Sequence, residues 1–156
     1  MIDEGDIVIA DVGAELDYYI GDVARTFPAS GRFTERQKQV YGDLLFSWER
    51  AIQAIKPGVN IKQIENATIE GLDKSLLPWW DPVIGHFIGL DAFDPGSLNH
   101  PLKVGMTITI EPRIYIREEN LGVMIEDNVL VTDNGPEILS NSIPREIEEI
   151  EETMNS

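Results

Sequence analysis

Apolar and polar positions change period three times along the chain, and each change predicts an element. After the Gly5-Asp6 turn, "GDIVIADVG" alternates with period two, which predicts a strand with Ile7, Ile9 and Asp11 on one face. "LDYYIGDVART" reads as a returning strand that ends near Asp22. From Thr34 the period becomes helical. Val40, Leu44, Leu45, Trp48, Ala51, Ile52 and Ile55 fall on one face, with Thr34 as N-cap and Pro57-Gly58 as the stop. A second helix is expected from Asn60 through Ile61, Ile64, Thr68 and Leu72 to about Leu77. A turn-rich stretch, "PWWDPVIGHFIGLDAFDPGSLNHPL", leads to a second strand set, "TITIEPRIYI" and "GVMIEDNVLVT". In the acidic tail, Ile147 and Ile150 at helical spacing among glutamates predict a short solvated helix. Strands, two helices, strands and a helical tail make an α+β chain rather than a βαβ alternation.

The two strand sets echo one another. Gly5 is followed six residues later by Asp11, and Gly105 six residues later by Glu111, each acid closing a period-two run. A second acid follows each, Asp22 after eleven residues and Glu126 after fifteen. One repeated unit, a strand and its returning neighbour each with one inward carboxylate, explains both halves. If the halves pack so that the four acids converge, they cannot all ionise without compensation. Two divalent cations would offset the four charges, and an oxygen-rich set joined by one imidazole suits Mn²⁺, Co²⁺ or Zn²⁺. Paired metals activate water and polarise a carbonyl, so hydrolysis of an amide or related bond is the implied chemistry. His86, between Gly85 and Gly89, is the candidate imidazole. Taken singly, each residue has a plainer reading: Asp11 as a turn former, Asp22 as a loop acid, Glu126 as an edge-strand charge, His86 as a core histidine.

Composition narrows the classes. The 156 residues suffice for one domain, read as 1–156 with an acidic tail over 139–156. A net charge of −16 repels phosphate backbones and anionic lipid, which argues against nucleic-acid and membrane partners. There is no cysteine, hence no disulfide framework or thiolate metal site. The acidic start "MIDEGDIVIADVG" does not read as a leader and no run has membrane-spanning length, so a cytoplasmic location is expected.

"DVGAELDYYIGDVARTFPASGRFTERQKQVY", "GHFIGLDAFD", "TITIEPRIYI" and "GVMIEDNVLVTDNGPEILS" resemble, in that order, the creatinase/prolidase-type metallopeptidases. The resemblance is greatest to Xaa-Pro aminopeptidases and dipeptidases, and it runs from about Gly5 to the tail. It implies the pita-bread fold with its pseudo-two-fold repeat. It also implies two metal ions, usually manganese, cobalt or zinc, bound by Asp11, Asp22, His86, Glu111 and Glu126, with Asp22 and Glu126 bridging. Glu111 is further implied to handle the proton of the bridging water.

Several positions depart from the family. Phe93 stands where a histidine is usual, Pro82 where prolidase-type members often have another, Ala24 where a threonine is common and Met124 where an arginine is often found. His100 is the one other histidine and a weak substitute. Family domains carry segments upstream of the first glycine-strand unit, where four residues stand here. A shortened N-terminal side, an exposed sheet edge and a homodimer or higher oligomer to cover it are therefore expected. The expected function is a two-metal exopeptidase on short peptides, with dipeptidase or carboxypeptidase action open as altered specificities. The alternative is a non-catalytic, metal-stabilised module that binds a peptide or protein.

Overall fold

The computed structural model describes residues 1–156. Strands β1 (Ile7–Leu16) and β2 (Tyr19–Pro28) form an antiparallel hairpin. Its two-residue turn holds Asp17 and Tyr18 at positive φ, 51° and 70°, as a tight hairpin whose strands twist together demands. Because β2 runs on to Pro28, Asp22 lies inside the strand and not near its end as expected. Ala24, Arg25 and Thr26 are all buried, which explains the continuation.

Helix α1 (Glu35–Ala54) starts at Thr34, whose hydroxyl accepts from the Gln37 N–H while the Gln37 side chain accepts from the Thr34 N–H. Its buried face includes Val40, Leu44, Leu45, Trp48 and Ala51, as the periodicity predicts. Helix α2 (Ile61–Gly71) is capped in the same way by Asn60 and Gln63. It ends well before the expected Leu77. Leu72 and Leu76 stay buried, but between them the Asp73 carboxylate accepts from the Ser75 N–H and hydroxyl, and this local turn displaces the helix.

The second half contains β3 (Thr107–Ile110), β4 (Arg113–Ile116), β5 (Leu121–Met124), β6 (Asp127–Thr132) and β7 (Gly135–Ile138). β6 lies between β3 and β7, and β4 pairs with β5, all antiparallel. Backbone bridges Ala24–Glu126, Phe87–Ile108 and Trp80–Ile114 join β2 and the His86 segment to this set. β1 pairs with β2 alone, leaving one edge without a strand partner. α1, α2 and the inner faces of β3 to β6 enclose a core cluster of 24 buried residues. The tail forms α3 (Ile147–Met154), which is not simply solvated. Ile150 is buried in the core, and Glu151 accepts from the Phe33 N–H and pairs with Lys38 of α1.

Candidate metal centre

Strand register sets the site. Asp11 is opposite Ala24 and Gly13 is opposite Asp22, so the two aspartates project from one face of the hairpin on a diagonal. Ala24 is bridged to Glu126, which puts that glutamate on the same face. The β3–β6 register ends at Ile110 opposite Asp127. Continued by one residue, it brings Glu111 beside Glu126. Thr109 and the His86 segment bond reciprocally: the Thr109 N–H donates to the His86 carbonyl at 2.8 Å, and the His86 N–H donates to Thr109 Oγ1 at 3.1 Å. Gly85 permits that closeness, because a Cβ there would collide with the Thr109 carbonyl oxygen. Five neighbouring backbone segments thus each send one side chain to a common face.

His86 Nε2 lies 3.9 Å from Asp22 Oδ2, 3.7 Å from Glu111 Oε1 and 4.0 Å from Glu126 Oε1. Donor atoms of Asp22, His86 and Glu126 all lie within 4.8 Å of one another. These separations exceed hydrogen-bond length and are of the order of twice a metal–ligand bond of about 2.0–2.2 Å. On the other side of the ring, Nδ1 is 3.1 Å from the Phe87 carbonyl oxygen. That oxygen can only accept, so the neutral ring carries its proton on Nδ1 and turns the Nε2 lone pair to the carboxylates. Asp11 is exposed and lies at the outer side of the cluster, next to Asp22, whose proton affinity its charge raises.

Burial and mutual repulsion raise three of the acids. Glu126 is pushed up to about 9, first by burial and then by the charges of Glu111, Asp22 and Asp11. Glu111 is raised by burial against the opposing pull of Arg113 and His86. Asp22 is raised by burial and then by Asp11. Glu126 is only 2% exposed, and its Oε1 is buried without a hydrogen-bond partner. A buried acceptor without a donor costs stability unless something electropositive meets it. A divalent cation fits this set of carboxylates and one imidazole.

Side chains that the periodicity did not single out hold the cluster in place. Arg25 donates to the carbonyls of Ala24 (2.8 Å), Glu126 (2.6 Å) and Pro144 (2.8 Å) and pairs with buried Asp127 at 2.7 Å. Asn128 Nδ2 donates to the Asp22 carbonyl at 2.8 Å, so an amide side chain continues the pairing where backbone does not. Arg113 Nη1 donates to Glu111 Oε2 at 2.6 Å. Asp127 directly follows Glu126 and Arg113 stands two residues after Glu111, which was a usable signal for those two.

Among the departures, Phe93 is 73% exposed yet lays its ring over His86 with centroids 4.2 Å apart. Met124 is 3% exposed and Ala24 fully buried. His100 borders a groove of about 600 Å³ with Tyr19, Phe87 and Met106, and that groove includes none of the five candidate ligands.

The model of a family described as metallopeptidase family M24 matches residues 1–133. The Xaa-Pro aminopeptidase of Haemophilus influenzae is 37% identical, covering 99% of this chain and 43% of its own length. Arabidopsis thaliana mitochondrial intermediate cleaving peptidase 55 is 36% identical, with 99% and 36% covered. Among solved structures, Pseudomonas aeruginosa aminopeptidase PepP superposes with a TM-score of 0.91 at 33% identity, over 99% of this chain and 42% of that one. A glutamate-to-alanine variant of Escherichia coli aminopeptidase P in complex with substrate gives 0.86 at 30% identity, over 97% and 42%. The chain spans about two fifths of the length of the curated relatives it matches. The first of those matches runs over 185 residues against the 156 present here, so about 30 positions of the relative have no counterpart.

Proposed function

This chain belongs to metallopeptidase family M24 and has the pita-bread fold, and from that premise we propose that it is a dinuclear metal-dependent exopeptidase acting on short peptides. Asp11, Asp22, His86, Glu111 and Glu126 would hold two divalent ions, Mn²⁺, Co²⁺ or Zn²⁺. When bound, such ions supply polarisation of a peptide carbonyl and activation of water. Four carboxylates match the four positive charges, and His86 adds the one neutral nitrogen. Glu111 is the group assigned to proton handling, because burial raises its affinity for a proton while Arg113 holds one of its oxygens. Xaa-Pro peptides are the first substrates to try, after the names of the relatives.

One observation carries this reading: three carboxylates converge on His86 Nε2 while Glu126 Oε1 stays buried and partnerless. Metal content of the purified protein, measured beside a cleavage screen of N-blocked and C-blocked peptides with added Mn²⁺ or Co²⁺, tests it. Bound metal with release of an N-terminal residue is expected. Turnover of only N-blocked peptides would shift the assignment to carboxypeptidase action, and no turnover of any peptide would remove the catalytic reading.

A second reading has its own support. Phe93 covers His86 where the resemblance expects an imidazole, and buried Met124 offers no donor. A metal-stabilised peptide-binding homologue would have such a site. Tight binding of a peptide without cleavage, unchanged by Asp22→Ala beyond a stability loss, would favour it.

A further inference from the structure

Arg113 is the one lysine or arginine whose side chain bonds to any of the four carboxylates. Its Nη1 donates to Glu111 Oε2 at 2.6 Å and its Nε to Asp81 Oδ2 at 3.1 Å. Asp81 belongs to the segment leading to His86, and its N–H donates to the Arg113 carbonyl at 3.3 Å. The chain Asp81–Arg113–Glu111 therefore ties that segment to the glutamate. Only 19% of the Arg113 side chain is exposed, so these charge-assisted bonds are weakly screened.

The strand register adds a second, independent observation. Arg113 is directly opposite Met124 in the β4–β5 pair, and cross-strand partners project from one face. Met124 precedes Glu126 by two residues, and Arg113 follows Glu111 by two. Position 124 is where the resemblance leads one to expect an arginine. The guanidinium is thus present on the expected face but comes from the neighbouring strand.

We propose that Arg113 is the positioning residue for Glu111, a guanidinium relocated across β4–β5 from the position of Met124, which leaves Glu111 only Oε1 to offer to metal. Oε1 is the oxygen 3.7 Å from His86 Nε2. A carboxylate free to turn would present either or both oxygens. Here Oε2 is committed to a guanidinium that Asp81 in turn holds. A lysine cannot take over this role, because an ammonium lacks the planar fork that serves Asp81 and Glu111 at once. The inference rests on the metal-peptidase reading above.

The test compares wild type, Arg113→Met, Arg113→Lys and the double variant Arg113→Met/Met124→Arg, which exchanges the two side chains across the pair. Metal-free protein is titrated with Mn²⁺ by calorimetry, and the melting temperature of each metal-free form is recorded. Arg113→Met should weaken Mn²⁺ binding about 10–100-fold, as loss of an outer-shell partner does. Arg113→Lys should recover little of it. The double variant should return to within about threefold of wild type, a coupling that independent sites would not give. An unchanged affinity in Arg113→Met, or a double variant no better than the single, overturns the proposal while the metal reading stands. If Arg113→Met does not fold, Arg113→Lys decides, and wild-type affinity there overturns the proposal. A wild type that binds no Mn²⁺, Co²⁺ or Zn²⁺ overturns the metal reading and this inference with it.

Discussion

The two carboxylate-bearing strand units share a spacing rule but sit in different surroundings. In the first, Asp11 is exposed and Asp22 half-buried, on a hairpin that also exposes Val12, Leu16, Tyr18 and Tyr19. In the second, Glu111 and Glu126 are 5% and 2% exposed, next to strands packed into the core. The same chemical group is therefore held at different cost. Water solvates Asp11, whereas Glu126 has lost its water and gained three acidic neighbours. The second half should dominate the affinity for a cation, and the first should adjust it.

The largest effect expected from breaking this asymmetry is at Glu126. Glu126→Gln removes the buried ionisable carboxyl and keeps its shape. Metal affinity should fall by more than the about 10–100-fold that loss of an outer-shell partner costs. The metal-free protein should meanwhile melt higher at neutral to alkaline pH, because folding no longer has to keep a proton on a buried carboxyl that the unfolded chain releases. Titration and thermal melting of the same variant check both, and a fall in both quantities would contradict the electrostatic account.

Next comes pH. The Glu126 pKa is raised from 4.5 to about 9 in the folded protein. Between those values the folded state keeps a proton that the unfolded state releases, so the Glu126 contribution to metal-free stability is fully present below about 4.5 and declines as pH rises to about 9. Metal displaces that proton, so the metal-induced rise in melting temperature should grow over the same window. Melting curves with and without Mn²⁺ at about pH 5.5, 7 and 8.5 read this directly. A rise that does not change with pH would mean that Glu126 is already ionised in the metal-free fold.

The join between the halves comes third. Arg25 donates to both carbonyls of the Ala24–Glu126 bridge and pairs with fully buried Asp127. Arg25→Met leaves that carboxylate buried with the Ser140 hydroxyl at 2.6 Å and Arg145 at 3.4 Å, and should destabilise the fold by about 3–5 kcal/mol. Chemical denaturation measures it. A cost below about 1 kcal/mol would assign the pair to the surface class.

Much of this asymmetry was hidden in the sequence even though the five candidate residues were not. Period-two runs closed by an acid, and glycines before Ile7 and Met106, are local signals, and they place Asp11, Asp22, Glu111 and Glu126 on matching faces. His86 stood out because two glycines bracket it. Which of the acids is buried depends on partners about a hundred residues away, as with Arg25 and Asp127, and one sequence carries no record of such pairs. The end of α2 escaped for the opposite reason. Leu72 and Leu76 keep helical spacing, but a two-residue contact between Asp73 and Ser75 overrides it.

The smallest expected effect is the most discriminating, because it repeats the Glu126 change in the other half. Asp11→Asn likewise replaces a carboxyl by its amide and keeps the side chain's shape. Asp11 is exposed, so metal-free stability should move by no more than about 0.5 kcal/mol. Its charge is one of the causes that raise Asp22, so Asp22 should lose part of that upward shift, which is measurable by NMR titration of the metal-free protein. Metal affinity should drop, since a proposed ligand is lost, but less than in Glu126→Gln, because hydration already met most of the Asp11 charge. Equal losses in the two variants would mean that the halves contribute alike and that burial does not rank them.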